Sequence, residues 1–564
     1  MNFLNVHMQY ITTFWHRLSE TLNQERVMRH VVIVSFAIVL CFVCLSINRG
    51  IGFSDESWYL VLLRDHVAKN ASAWPLFFSW LPNNLLVIRM ITVGLLFTGS
   101  MLFGYGMYSY FKVQFKLSQK SIIPLMMFGF IGAFCFLPPI CLVPCYYWFN
   151  HFIFSSGIGS ALLCAKRGKV GIGWAWLSGF FFGFLFFIMP SNTPIILFVA
   201  AFIIFNPNPW HRLIGFGVGM ACAILVYSLA IQSLAEFYLM IQQSLHDSPD
   251  FLGSHGITQM IVWIIKTVKF IITNIFIVAA LIYFLRRHID EISVKRETLS
   301  IWVSLIVIVS FTIIPYFEGL VWGVKYGIYP SEIISVLFIW FILETQNELI
   351  SQDWSVLTLL FISPILASFG TNVPFSIRGT IYIGTFYGTA GLLFVLSPFC
   401  ARFRIYMCLA VVLLTFGFVT TFFRPNWSTD MSLSKNIIPL SEIGIQKRTR
   451  ITPEMSTMIS EAKKFIGFSN NVVVKGQQSW GFVYLLDLHP LSYSAIPYES
   501  QILKAIEESG MRELVFIESS KDLFSESFWS EINTKWKTEK VREFDGKFKF
   551  YRLNRISILP HFKK

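Results

Sequence analysis

"VVIVSFAIVLCFVCLSINRGIGFSDESWYLVLLRDH" runs from Val31 to His66 and joins two very different halves. The first, Val31–Ile47, is a mostly apolar run at the short end of the length a membrane span takes. No A-x-A-like cleavage site follows it, and residues 1–30 are polar and mildly basic, so it reads as a retained first helix rather than a signal peptide. The second half opens with two adjacent carboxylates, Asp55 and Glu56, at the mouth of that helix. Acids in a first turn complement the helix dipole. That role accounts for one acid more easily than for two.

Composition extends the pattern to the whole chain. Of 564 residues 55% are hydrophobic and 14% charged, where a soluble domain carries roughly 25% charged. Mean hydropathy is +0.60. The chain is therefore a polytopic α-helical membrane protein. Apolar segments at 31–48, 86–110, 121–137, 143–164, 171–189, 193–206, 213–234, 261–285, 299–316, 331–344, 354–370, 380–398 and 405–422 make about thirteen transmembrane helices. Basic residues test the topology. With the amino terminus inside, the inner loops hold Arg17, Arg26, Arg29, Lys112, Lys116, Lys120, Lys166, Arg167, Lys169, Arg212, Arg286, Arg287, Lys295, Arg296, Arg402 and Arg404. The outer loops hold few, which fits the positive-inside rule and places both the Asp-Glu loop and the tail outside. The net charge of +13 is then a membrane-surface feature. No basic soluble face interleaved with aromatics points to nucleic acid.

Three domains follow: a membrane domain over 1–422 with its first outward loop at 49–85, a linker over 423–446, and an α/β domain over 447–564. In the last, "NVVVK" (471–475) and "ELVFIE" (513–518) read as buried strands and "KFKFYRL" (547–553) as an alternating one. Residues 453–465 and 499–509 read as amphipathic helices. "KGQQSWGFVYLL" (475–486) has two readings, a loop leaning on the membrane or a helix start with core aromatics. All nine cysteines precede Phe423, so no disulfide framework holds the tail. Gly179, Gly183, Gly215, Gly217 and Gly219 follow no strand, so they mark close helix packing rather than a nucleotide loop.

The outward segments supply the candidate chemistry. In the first loop, "SWYLVLLRDHV" after the acids suits a short helix lying in the interface with its aromatics at headgroup level. Burial and a neighbouring like charge both raise a carboxylate pKa, so the Asp55–Glu56 pair suits a general base. Carboxylates also suit Mg or Mn, making a divalent cation the one candidate cofactor. Elsewhere, "LVPCYYWFNHF" offers Tyr147 and Asn150, "MPSNTP" Ser191 and Asn192, "EGLVWGVKYGIYP" Lys325 and Tyr326, and "FGTNVPFSIRG" Asn372 and Arg378. Arg89 sits just inside a span. Cations at such depth are costly without a partner or a task. Holding a lipid phosphate is one task, and snorkelling to the interface is the alternative.

"FSDESWYL" (53–60), placed after a first span and followed by many spans and an outward α/β domain, resembles the GT-C superfamily of integral membrane glycosyltransferases. Protein O-mannosyltransferases and lipid A aminoarabinose transferases are relatives. The resemblance implies a GT-C-like fold and a polyprenyl-phosphate-sugar donor. It implies an acceptor that is a lipid-linked glycan, lipid A or a protein hydroxyl. It also gives Asp55 the role of catalytic base or metal ligand, with Glu56 in support. Relatives often carry a second acid in the next outward loop, where this chain has "PCYYWFN", and many carry a lysine near "MPSNTP". The donor phosphate is then expected on Lys325 or Arg378. A bacterial inner membrane, with the tail periplasmic, is the expected location. A polytopic transporter or lipid flippase is the rival class, and a non-catalytic scaffold a third. The rival predicts charged or polar residues near mid-membrane and internal repeats, and the scaffold predicts that neither carboxylate matters.

Overall fold

The computed structural model describes residues 24–53, 55–68, 72–134, 142–165, 169–206, 208–246, 345–367, 375–400, 404–423, 433–467, 471–493, 499–520, 522–544 and 546–556, with isolated positions between. Two compact units emerge. One comprises Met1–Val43, Thr92–Pro138 and Tyr146–Phe422; the other comprises Cys44–Ile91, Pro139–Cys145 and Phe423–Lys564. The first loop thus belongs with the C-terminal segment, although the membrane region separates them in sequence.

In chain order the helices are α1 (Glu25–Ser46), α2 (Asp55–Arg64), α3 (Leu85–Phe111), α4 (Ile122–Ala133), α5 (Tyr146–Cys164), α6 (Lys169–Ile188), α7 (Ile195–Ile204), α8 (Pro209–Ala230), α9 (Leu234–His246), α10 (Ser351–Ala367), α11 (Phe375–Leu396) and α12 (Arg404–Phe423). Some prolines open helical turns, while Pro364 stands inside α10. Pro209 opens α8, and Pro190 opens a single 3-10 turn, Pro190–Asn192. That turn and Pro194 shorten the 193–206 segment to α7, of ten residues.

Among the described residues, Glu25–Ser46, Leu85–Phe111, Val170–Ile188 and Pro209–Ala230 are long and apolar enough to cross a membrane. Pro190–Ile204, Asp353–Ala367, Tyr382–Leu396 and Met407–Val419 are shorter apolar helices. The protein is integral to a membrane. Segment 299–316 and most of 261–285 and 331–344 lie outside the described residues.

Four of the five glycines expected at close helix packing make it, while nothing lies within 4 Å of a Cβ on Gly217. A Cβ on Gly179 of α6 would stand 1.9 Å from the Phe216 carbonyl oxygen of α8, and one on Gly219 would stand 2.0 Å from that of Trp176. The backbones touch, and only glycine permits it.

The second unit holds a five-stranded sheet. Its strands are β3 (Asn471–Lys475), β4 (His489–Pro490), β5 (Glu513–Ser519), β6 (Trp536–Phe544) and β7 (Phe548–Arg555), in the order β4-β3-β5-β7-β6. β3 runs parallel to β4 and β5, while β7 runs antiparallel to β5 and β6. Helices α13 (Pro453–Ile466), α14 (Trp480–Leu485), α15 (Glu499–Ser509) and α16 (Glu526–Lys535) accompany it. Thr452 and Ser525 cap α13 and α16 by accepting from Met455 N and Phe528 N. Val473, Leu514, Phe516, Ile502, Ile506, Phe528 and Trp536 form one apolar core. β6 is an outer strand, largely exposed between its buried ends.

Order begins before residue 447. Within 433–446, read as linker, β1 (Ile438–Pro439) pairs antiparallel with β2 (Arg450–Ile451), and a 3-10 turn spans Leu440–Ile443. β2 also reaches the end of α1: Gly50 N donates to Arg450 O at 2.8 Å, and Arg450 N to Asn48 O at 2.8 Å.

Candidate functional site at the start of the first loop

α2 begins at Asp55, and Glu56 through Leu63 are buried. Its start is built by a short circuit. Ser57 Oγ donates to Gly52 O at 2.5 Å, and Gly52 N donates to Glu56 Oε2 at 2.7 Å. The other Glu56 oxygen, Oε1, accepts from Arg89 Nη2 at 2.7 Å and Nε at 3.0 Å. Arg89 stands on α3 with its side chain fully buried. Its remaining N–H groups reach Ile47 O at 3.0 Å, Arg49 O at 3.2 Å and Gly50 O at 3.0 Å. These carbonyls follow the C-terminus of α1, where a helix carries partial negative charge. One guanidinium therefore binds the end of α1 to the start of α2. Burial holds the Glu56 carboxyl above its ordinary pKa, and Arg89 with the Gly52 amide pulls the other way.

The far end of α2 is fixed by the C-terminal segment. Asp487 and His66 both take left-handed conformations (φ 51° and 54°) as the residues just past a helix. At His66, Val67 N reaches Leu62 O at 2.9 Å, closing the helix in the usual C-terminal way. Arg64 forks onto Asp65, with Nε to Oδ1 at 2.7 Å and Nη2 to Oδ2 at 2.8 Å. It also donates to Leu488 O at 2.7 Å and Val483 O at 3.3 Å. Tyr493 Oη donates to Asp65 Oδ2 at 3.0 Å, and Trp58 Nε1 to Tyr493 O at 2.8 Å. Lys447 Nζ reaches Asp487 at 2.8 Å. For Asp65 burial raises the pKa, but Arg64 and Tyr493 outweigh it, and the carboxyl lies below its ordinary value.

Several expectations change. α2 does not expose its aromatics at a headgroup layer: Trp58 and Tyr59 are buried, and the Tyr59 ring lies edge-on to Trp74. Trp480 and Tyr484 are core aromatics, fully buried in α14. Arg89 does not stand ready as a phosphate ligand, because Glu56 and three carbonyls engage its guanidinium. Nor does Glu56 fit as a cation ligand, since an arginine and an amide N–H occupy its two oxygens. Among the described residues no three His, Cys, Asp or Glu side chains gather as a metal cluster. Asp55 is half-buried in the first turn of α2.

The remaining candidates belong to the other unit or lie outside description. Asn150 donates to Tyr382 Oη at 2.8 Å, and Asn192 to Ala367 O at 3.3 Å; both are buried. Tyr147 is stacked on Tyr146, and Ser191 is half-buried in the 3-10 turn. Lys325, Tyr326 and Asn372 lie outside the described residues, and Arg378 falls in α11 where side chains are not described. Sequence reasoning missed Lys447, Asp487 and Tyr493, whose partners in the first loop are distant along the chain and share no motif with them.

No family model and no curated protein matches the chain. Solved structures of ArnT from Cupriavidus metallidurans, bound to undecaprenyl phosphate and in the apo state, are similar to it. Each is 12% identical, with 92% of this chain and 97% of that chain covered and a TM-score of 0.38. At that score the likeness decides neither activity nor substrate.

Proposed function

We propose that the chain is a membrane glycosyltransferase of the GT-C type. It moves a sugar from a polyprenyl-phosphate donor to an acceptor hydroxyl on the outer, periplasmic face of a bacterial inner membrane. The acceptor is a lipid-linked glycan, lipid A or a protein hydroxyl. The observation that carries this is the pair of adjacent acids in the first turn of α2. Glu56 is committed to Arg89 and Gly52, so it braces the helix start. Asp55, half-buried one residue earlier, is the acid assigned to take a proton.

Asp55 deprotonates the acceptor hydroxyl, whose oxygen attacks the anomeric carbon opposite the phosphate. The C–O bond to the phosphate breaks as the new one forms, so the configuration inverts through an oxocarbenium-like transition state. The phosphate departs as an anion and needs positive charge more than a proton. Arg378 and Lys325 are the residues proposed for that task. Should a divalent cation take part, Asp55 is the candidate ligand of the pair, and no step here depends on one.

The test uses the purified full-length protein with a labelled polyprenyl-phosphate sugar. Asp55→Asn lowers transfer by about 100-fold or more, the range general-base loss produces, while expression and thermal unfolding stay as in wild type. Retained transfer removes Asp55 as base. Movement of the labelled lipid across vesicles without sugar transfer favours the flippase class instead.

A further inference from the structure

Phe53 is where the C-terminal segment takes hold of the acid helix. Its ring meets Phe482 edge-on with centroids 5.3 Å apart and lies 6.3 Å from Phe548. Phe482 and Phe548 are 4.9 Å apart, and Phe482 continues to Phe550 at 5.0 Å, so the contact is anchored in β7. The backbone is held as well: Gly481 N donates to Phe53 O at 3.1 Å. A Cβ at 481 would stand 2.2 Å from Phe53 Cδ1 and 2.3 Å from Cγ. An aromatic ring cannot yield by that much in a packed site.

Gly52, the next residue back, is tied through Glu56 to Arg89. The chain entering α2 is therefore held at two consecutive residues, at 52 from the first loop and at 53 from the C-terminal domain. Asp55 follows two residues later. We propose that Phe53 is a positioning residue, through which the C-terminal domain sets the place of the Asp55 carboxylate, and that Gly481 makes its seat. This rests on Asp55 being the base. It makes the C-terminal domain part of the reaction machinery, acting from behind the acid helix.

The experiment compares wild type, Gly481→Ala, Phe53→Leu and the double variant, all full-length and purified. Amide hydrogen exchange is followed over residues 52–57, and kcat and donor KM are measured. In Gly481→Ala the added methyl unseats Phe53. Exchange over 52–57 accelerates, and kcat falls by about 100-fold, as a 1 Å misplacement can produce, at unchanged donor KM. The double variant adds little to either single loss, because both changes act on the one Phe53–Gly481 contact. Unchanged exchange in Gly481→Ala overturns the inference whatever Asp55 does. So does a loss expressed in KM rather than kcat, or a double variant whose loss is the full product of the two single losses. If Gly481→Ala fails to fold, Phe53→Leu alone must show faster exchange and lower kcat, and wild-type values for both overturn the inference. Faster exchange in Gly481→Ala beside full transfer by Asp55→Asn leaves the grip standing and sinks the base assignment, so the two failures are told apart.

Discussion

α2 carries an arginine–carboxylate pair at each end, and the two behave oppositely. At its start Glu56 and Arg89 have side chains 1% and 0% exposed; at its end Arg64 and Asp65 are 10% and 11% exposed. Burial raises both acids, and the arginine lowers both. At Glu56 burial wins. At Asp65 the forked arginine and the Tyr493 hydroxyl win. Chemically similar pairs thus differ in sign because one has lost all water and the other keeps some. The buried pair sets where the helix begins, and the outer pair fastens it to the C-terminal segment.

The largest effect comes from breaking the inner pair. Arg89→Ala strands a buried carboxylate and should cost about 3–5 kcal/mol, as removal of one buried partner does, read from denaturant unfolding in detergent. Replacing both members together by Leu should cost far less, since paired hydrophobic replacement is often neutral. If Arg89→Ala proves no worse than a change at the outer pair, the contrast fails. Arg64→Ala should come next at about 1–3 kcal/mol, because it frees Asp65 and the carbonyls of Val483 and Leu488.

Acidity separates the two ends further. Asp65 has its folded pKa below the unfolded value of about 4. Its contribution is present above that value and is lost as pH falls through the folded one. Glu56 has its folded pKa raised, so its contribution is complete below about 4.3 and is lost as pH rises through the folded value. Thermal midpoints against pH should therefore lose their acid-side fall in Asp65→Asn and their opposite slope in Glu56→Gln. Equal profiles for the two variants would erase the distinction. The smallest effect is the exposed pair Arg542–Glu461, at 2.8 Å with both side chains more than 40% exposed. Arg542→Ala should change stability by less than about 1 kcal/mol, setting the scale for the others.

Much of this was legible in the chain. Apolar runs gave the helices because each must bury or face lipid over its whole length. The two buried strands, the alternating strand and the two amphipathic helices of the C-terminal domain fall within a residue or two of expectation. β6 and α16 were not foreseen, since "WKTEKVREF" is too charged to show burial on either face. The site was legible only as a pair of acids. That Glu56 would take Arg89 depends on α1 ending beside α3, a tertiary fact with no local signal. The orientation of α2 was missed because an aromatic helix suits a headgroup layer and a protein interior equally well.

The outer strand β6 has one more consequence. Its nine residues leave a row of amide and carbonyl groups along the rim of the sheet, the sort of border that invites a second molecule to add on. Lys537, Glu539, Lys540, Arg542 and Glu543 crowd that border with ions of both signs, and a register shift between Thr538 and Lys540 bends it. A second strand adding on there would have to strip water from every one of those charges.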